Sequence, residues 1–199
     1  MSHEPHEPTT RLRLEPAPAG LDLVQDLINT RDIGRKVPDL LATPESARAW
    51  LAAVIPETIS SADSPGPSWV ADLSERDLRS LRSLRSDLQM LVAGDPIPAD
   101  HTVQATLAIS TAGELRLLPA GAGRRSFAAA VWCEVFLAQR AGTLNRLKLC
   151  HNPVCGSAFY DRSKNNSGVW HDVKMCGNAA NLRASRARKR ARKRALASP

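Results

Sequence analysis

The chain is poor in aromatic residues and has no long apolar run. Phe, Trp and Tyr make up 4% of its 199 residues, which disfavours a surface on which successive bases of a single strand stack. No stretch approaches the roughly 20 apolar residues that a membrane-spanning helix needs. The N-terminus lacks the apolar segment of a secretory signal. These absences predict a cytoplasmic protein without a membrane partner.

Cysteine is scarce as well, and it is unevenly placed. The chain has 4 cysteines, of which Cys150, Cys155 and Cys176 lie close together in the sequence. In the cytoplasm thiols stay reduced or bind metal, so a disulfide framework is not expected. Cys133 lies outside this group, and we expect it to be buried or half-buried in the body of the protein.

Acidic residues are nearly absent from the last third of the chain. Residues 140–199 carry 14 Lys/Arg and 2 Asp/Glu, a net charge of +12, whereas residues 1–139 carry 13 and 18, a net charge of −5. This asymmetry predicts a polyanionic partner for the C-terminal end alone. The alternative is a basic tail that only improves solubility.

The basic end is also rich in good helix formers. Like charges three and four residues apart repel each other in a helix, so phosphate binding and helix ordering would be coupled. Lys164, in a turn-rich stretch nearer the cysteines, is a further candidate nucleic-acid contact. The candidate contacts in the helix are Arg183, Arg186, Arg188, Lys189, Arg190, Arg192, Lys193 and Arg194.

Two pairs of metal-binding residue types precede the basic end. Cys150 with Cys155, and His171 with Cys176, each have four residues between them, and the pairs lie about 15 residues apart, as in structural zinc sites. Three thiolates and one imidazole would complete a tetrahedral shell and leave no position for water, so we expect Zn²⁺ to hold the fold and do not expect an enzyme. Buried thiols or a disulfide are the alternatives.

Further residues surround these pairs, and the whole set is Cys150, Cys155, Phe159, Asp161, Ser163, Lys164, Asn165, Ser167, Trp170, Cys176, Gly177 and Asn178. This set resembles the CGNR zinc-finger family. His171 stands where the family usually has a cysteine, and Ala179 stands where the signature ends in arginine. The resemblance implies a DNA-binding transcriptional regulator in which the finger follows a larger N-terminal domain.

Apolar periodicity and turn residues predict a mainly helical N-terminal half. The predicted elements are helices over 21–30, 44–54, 75–93 and 124–140, strands over 102–110 and 114–118, and a loop over 60–67. Pro56 is expected to end the second helix, and Ser74 to cap the third. In the finger we expect a hairpin between 156–160 and 169–170, and a helix capped by Asn178.

The N-terminal half contains the segment 21–31 with its Asn29-Thr30 pair, the run 40–51 and a long Leu-rich helix. In these features it resembles the ABATE domain, which commonly precedes a CGNR finger. The resemblance implies a domain that senses stress or a small molecule. Asn29, Thr30 and Arg31 are candidates for the effector pocket, although a helix C-cap is an alternative for Asn29.

The predicted fold class is α+β, mainly α: a helical N-terminal domain with a small β-hairpin, then a treble-clef-like zinc finger and a basic C-terminal helix. We expect a disordered arm (1–19), the ABATE-like domain (20–143), the finger (144–182) and the basic tail (183–199). The predicted function is a zinc-dependent transcriptional regulator that binds double-stranded DNA and whose N-terminal domain senses an effector or forms a homodimer. An RNA- or ribosome-associated protein and a redox-sensing zinc switch are the alternatives.

Overall fold

The computed structural model describes residues 7–33, 37–59, 68–98, 100 and 102–197. Within them the chain is mainly helical and has two antiparallel two-stranded sheets, which confirms the predicted fold class. The helices are α1 (Glu7–Thr10), α2 (Leu21–Asn29), α3 (Pro44–Ile59), α4 (Ser68–Ala71), α5 (Glu75–Ala93), α6 (Arg124–Arg140) and α7 (Asn178–Ala197). The strands are β1 (Ala105–Ile109), β2 (Leu115–Pro119), β3 (Leu147–Leu149) and β4 (Ala158–Tyr160), and Val173–Gly177 forms a π-helical turn.

Helix α2 lies at the centre of the core. It contacts α1, α5, α6 and β4, and eight of its nine residues, all except Asp22, are buried. A helix that is covered on all sides is a core element rather than a surface element. Against it α5 buries the predicted leucine stripe, and Trp50 of α3 meets Phe127 of α6 edge to face at 6.0 Å. The core therefore forms where leucine periodicity predicts it.

Helix α5 begins and ends as predicted. Ser74 and Asp77 form a reciprocal capping box, and Gly94 ends the helix with φ +81°, a conformation that favours glycine. Helix α5 also carries a row of arginines, Arg76, Arg79, Arg82 and Arg85. Arg76 and Arg79 are exposed, but Arg85 makes two 2.8 Å bonds to the Asp39 carboxylate. The row therefore also holds the segment that leads into α3.

Two predicted boundaries differ in the structure. Helix α3 runs through Pro56 to Ile59. A proline removes one backbone hydrogen bond, and the buried Val54 and Ile55 keep the helix packed up to that point. At the N-terminus, Glu7–Thr10 is helical and Thr9 is fully buried, so this part of the expected arm packs on the domain. The predicted loop 60–67 and residues 1–6 lie outside the described residues, and the domain limits stay predictions.

The sheet of the finger is formed differently from the prediction. Strand β4 pairs with β3, with Leu147 opposite Tyr160 and Leu149 opposite Ala158, and not with residues 169–170. Leu147 and Ala158 are 2% and 0% exposed in the main core, so this pairing buries apolar surface that the expected hairpin would leave outside. The finger is therefore continuous with the N-terminal domain.

Candidate metal centre

Four side chains converge beyond the β3–β4 hairpin. Cys150 directly follows β3, Cys155 ends the connecting turn, His171 follows an ordered loop, and Cys176 lies in the π-helical turn. Their donor atoms all lie within 4.8 Å of one another. The structure thus brings together all four residues that the spacing predicted as ligands.

The distances from His171 to two of the sulfur atoms fit a tetrahedral zinc ion. His171 Nδ1 lies 3.3 Å from Cys155 Sγ and 3.6 Å from Cys176 Sγ. Zinc bonds of about 2.3 Å to sulfur and about 2.0 Å to nitrogen give a nitrogen–sulfur edge of about 3.5 Å in a tetrahedron. Three thiols and one imidazole are also the donor types of structural zinc sites. The residues present therefore fit the metal that the finger implies.

The turn that carries the first two cysteines is closed by backbone bonds to Asn152. The Asn152 carbonyl accepts from Cys155 N at 2.8 Å and from Gly156 N at 3.1 Å. Gly156 has φ +60°, and a Cβ there would lie 2.9 Å from the Arg31 guanidinium. The turn thus needs glycine for its backbone conformation, whereas the end of the flexible Arg31 side chain could move away from a Cβ.

Polar side chains surround the sulfur atoms. Asn152 Nδ2 donates to Cys176 Sγ at 3.2 Å, and Ser157 Oγ lies 3.1 Å from Cys155 Sγ and 3.2 Å from His171 Nδ1. Such outer contacts orient ligands and stabilise thiolate charge. Asn152 and Ser157 are 7% and 0% exposed. Sequence analysis missed both, although polar residues two positions from a candidate ligand could have been predicted to contact it.

The thiols resist ionisation unequally when no cation is present. Burial raises the pKa of Cys150, and it raises the pKa of Cys176 to about 12. Burial opposes ionisation of Cys155 too, but hydrogen bonds from His171 and Ser157 outweigh it and lower that pKa to about 6. A bound divalent cation deprotonates coordinating thiols. It would supply the positive charge that three neighbouring thiolates require.

Asp161 organises the loop between the ligand pairs. Its carboxylate accepts from Lys148 Nζ at 2.7 Å, from Ser163 N at 2.9 Å and from Gly168 N at 2.6 Å. Burial opposes its charge, but these donors outweigh burial and hold the pKa of Asp161 well below its usual range. The loop presents Lys164 to solvent. Asp161 belongs to the family run, yet sequence reasoning assigned it no role.

The C-terminal helix begins earlier than predicted. Asp172 caps the π-helical turn by accepting from Met175 N at 2.9 Å, and Asn178 lies in a continuous helical segment instead of capping it. The Asp172 carboxylate reaches a free amide one turn before Asn178 could. Cys176 is therefore part of the same helical segment as α7.

The predicted nucleic-acid contacts differ in whether their side chains have a partner within the protein. Arg186, Arg188, Lys189 and Arg190 of α7 are exposed. Arg183 is also solvent-accessible, but its guanidinium donates to Asn152 Oδ1. The side chains of Arg192, Lys193 and Arg194 lie outside the described residues.

The predicted effector residues have partners within the protein. Asn29 and Thr30 are fully buried. Asn29 bonds the backbone of Ala158, and Thr30 Oγ1 donates to Leu27 O at 2.7 Å. The carbonyl of Arg31 accepts from Arg11 at 2.9 Å. These bonds give the three residues structural roles, and ligand binding by them stays a prediction.

A cleft of about 460 Å³ separates the N-terminal segment from the metal centre. Arg11, Arg13 and Ile33 line one side, and Met175 with His171 lines the other. The cleft thus touches both the N-terminal domain and the ligand cluster.

Comparisons with known families agree with these observations. A family model of the CGNR zinc finger matches residues 146–189. The ABATE family model, described as “Putative stress-induced transcription regulator”, matches residues 21–146. No curated protein matches the chain, and no helix in its described part is long and apolar enough to cross a membrane. Since the ABATE model covers more than half of the sequence, the chain belongs to the ABATE family and carries a C-terminal CGNR zinc finger.

Proposed function

We propose that this chain is a zinc-dependent transcription regulator that binds double-stranded DNA through its finger and α7. The observation that carries the proposal is the continuity between Cys176 in its π-helical turn and the cationic helix α7. A metal bound at this site would fix the start of the helix relative to the protein body. Sulfur and imidazole donors favour zinc over hard cations.

The charge of α7 suits the phosphate backbone of a duplex. The helix spans 20 residues without an acidic side chain, so it is about 30 Å long. Arg186 and Arg190 lie one turn apart and are exposed. Because neighbouring cations repel one another, phosphates that lie between them would stabilise the helix. If about six phosphates are neutralised, the slope of log K against log salt is about −5.

Asn152 links a metal-ligand candidate to the C-terminal helix. Its amide group donates to Cys176 Sγ and accepts from Arg183. Arg183 therefore acts in this proposal as an anchor of α7, whereas the arginines beyond it face the DNA. Loss of the metal would remove the cross-link between Cys176 and the cysteine turn, so the start of the helix would be held less firmly.

Fluorescence anisotropy with duplexes selected from random sequence tests the proposal. The zinc-loaded chain is expected to bind with strong salt dependence, and a chelator is expected to abolish specific binding. The double change Arg186→Ala/Arg190→Ala should weaken binding at least about ten-fold and reduce the salt slope by about 2. The matched change Arg76→Ala/Arg79→Ala, at exposed arginines of α5, should alter neither quantity.

Several outcomes would contradict the proposal. Zinc-loaded protein that binds no duplex, or binds one without salt dependence, would exclude the role of α7. An RNA duplex of equal length that competes as well as the selected DNA would instead indicate an RNA-binding protein, because charge alone suits both.

We propose that an effector binds in the cleft beside the metal centre. Its volume is about 460 Å³, within the ~300–1,000 Å³ of small-molecule sites, which often lie between domains. An occupant would touch Arg13 on one side and Met175 on the other, so it could alter how the finger sits on the domain. Thermal-shift screening can identify an effector. Met175→Trp fills the cleft, so adding that effector should no longer change the DNA affinity of the variant. In Leu182→Trp on α7 the effector should still change the DNA affinity as it does in the wild type.

A further inference from the structure

The cleft beside the metal centre reaches two of the three clustered cysteines. Cys155 and Cys176 line it, whereas Cys150 does not. Both residues are otherwise buried, with exposed fractions of 6% and 5%. The cleft holds about 460 Å³, and one water takes up about 30 Å³, so a molecule the size of hydrogen peroxide fits. A small solute can therefore meet this pair of cysteines from the cleft.

The open side of the cleft suits an uncharged solute. Val154 and Met175 also line the cleft and are 60% and 61% exposed, so solvent reaches it past apolar side chains. An ion loses favourable hydration beside such a surface, whereas an uncharged molecule loses far less. Hydrogen peroxide is both small and uncharged, so the cleft admits it more readily than a charged oxidant.

Cys155 and Cys176 are also close enough to be joined. The donor atoms of the cluster all lie within 4.8 Å of one another, and the sulfur atoms of a disulfide are about 2.05 Å apart. These two sulfur atoms therefore need to approach each other by less than about 3 Å. Asn152 Nδ2 already connects the turn that carries Cys155 to Cys176 Sγ at 3.2 Å, so the two segments are in direct contact.

We propose that hydrogen peroxide converts Cys155 and Cys176 of the zinc-loaded protein into a reversible disulfide, which leaves the metal site with two of its four donors. One thiolate attacks the peroxide, the O–O bond breaks, and a sulfenic acid and a hydroxide ion form. The second thiolate attacks the sulfenic sulfur and displaces a second hydroxide ion. Two electrons pass from the two sulfur atoms to the peroxide, and solvent protonates both hydroxide ions to water.

The consequence for DNA rests on the proposed function. The disulfide draws Cys176 toward the turn that carries Cys155, and Cys176 belongs to the helical segment that continues into α7. The start of α7 therefore shifts relative to the protein body, and His171 and Cys150 lose their common partner. Oxidised protein should bind duplex DNA more weakly than zinc-loaded protein, and a thiol reductant with added zinc should restore the affinity.

Oxidation of the full-length, zinc-loaded chain without DNA tests the disulfide itself. Hydrogen peroxide is added, a chromophoric chelator reports zinc release, and alkylation with peptide mass mapping identifies the linked cysteines. One zinc ion per chain should be released, and the metal-free chain should become two hydrogen atoms lighter. The map should show Cys155 linked to Cys176, while Cys133 and Cys150 stay free to react with the alkylating agent.

Two tryptophan variants test the route through the cleft. Met175→Trp narrows the cleft and should slow zinc release by peroxide at least about ten-fold, because the reaction rate of a thiolate depends on access. Leu182→Trp, at a position of α7 that is 52% exposed, is the matched control and should react at the wild-type rate. The peptide map of the wild type needs no variant, so it decides the pairing even if Met175→Trp fails to fold.

Three outcomes would overturn the proposal. These are a disulfide that contains Cys150, oxidation of the cluster without any link between Cys155 and Cys176, and a folded Met175→Trp variant that releases zinc as fast as the wild type. A Cys155–Cys176 disulfide in a protein that binds no DNA in either state would confirm the disulfide and contradict the proposed function alone.

Discussion

Asn29 of α2 binds the backbone of Ala158 as a neighbouring strand would. Its Oδ1 accepts from Ala158 N at 2.8 Å, and its Nδ2 donates to Ala158 O at 3.0 Å. Gln25 donates to the same carbonyl at 3.2 Å. Two side chains of the central helix therefore satisfy the edge of β4 and hold the finger against the N-terminal domain.

Removing this contact should destabilise the whole chain. Asn29→Ala leaves the buried amide of Ala158 without its partner, so the free energy of unfolding should fall by about 2–3 kcal/mol. Urea denaturation of the zinc-loaded protein measures the change. Asn165→Ala, at an exposed position of the finger loop, should stay within about 0.5 kcal/mol of the wild type. Equal stability of the two variants would refute the structural role of Asn29.

The ligand set predicts how His171 responds to substitution. His171→Ala removes one donor and should weaken zinc binding by more than about 100-fold, since even outer contacts of metal sites are worth about 10–100-fold. His171→Cys supplies a fourth sulfur and should keep tight binding. Competition with a chromophoric chelator gives both affinities. X-ray absorption should find three sulfurs and one nitrogen in the wild type, and tight zinc binding by His171→Ala would show that His171 is not a ligand.

Two substitutions separate the roles of Asn152. Asn152→Ala loses both the donor to Cys176 and the acceptor for Arg183, so metal affinity should fall by about 10–100-fold and DNA affinity should fall with it. Asn152→Asp keeps the acceptor and loses the donor, so the metal should bind more weakly while Arg183 stays anchored. The DNA salt slope should not change in either zinc-saturated variant, because neither change removes a phosphate contact. A lower slope would place Arg183 on the DNA instead.

The Asp39–Arg85 pair predicts a pH-dependent contribution to stability. Burial opposes the charge of Asp39, but Arg85 outweighs it and lowers the pKa of that carboxyl. A carboxyl with a lowered pKa stabilises the folded state above its unfolded pKa of about 3.9 and loses that contribution as the pH falls through the folded value.

Asp39→Asn should therefore cost about 1–3 kcal/mol at neutral pH, and its difference from the wild type should shrink below about pH 4. Glu114→Gln is the control, because its pair with Arg116 is 63% and 71% exposed and should contribute little at any pH. Denaturant titrations at several pH values measure both. A difference for Asp39→Asn that grows in acid would reverse the expected sign.

Local patterns predicted the helices well and predicted long-range pairing poorly. The Ser74 cap, the Gly94 end and the bounds of α6 follow from signals within a few residues. The pairing of β3 with β4 does not, because it depends on a core into which Leu147 packs from a distant part of the chain. Pattern reading also expected Pro56 to end α3, although that helix continues to Ile59.

In the candidate site, too, local sequence signals predicted one part and missed another. Regular spacing was enough to select four side chains whose donors the structure places within 4.8 Å of one another. The parts that spacing could not supply are the contacts of Asn152 and Ser157, since both depend on how the turn folds back over the sulfur atoms. Arg183 was grouped with the exposed cations of α7 because a charge pattern cannot distinguish an anchor from a free side chain.

Leu147 and Ala158 belong to the main apolar core although they flank the cysteine turn. A gene fragment that starts after residue 146 would therefore encode a finger in which Leu147 and Ala158 are exposed to water. A fragment that stops there would leave α2 without the side chains that cover it. An exchange of fingers between related proteins should therefore give a folded product only when the β3–β4 hairpin and helix α2 come from the same parent.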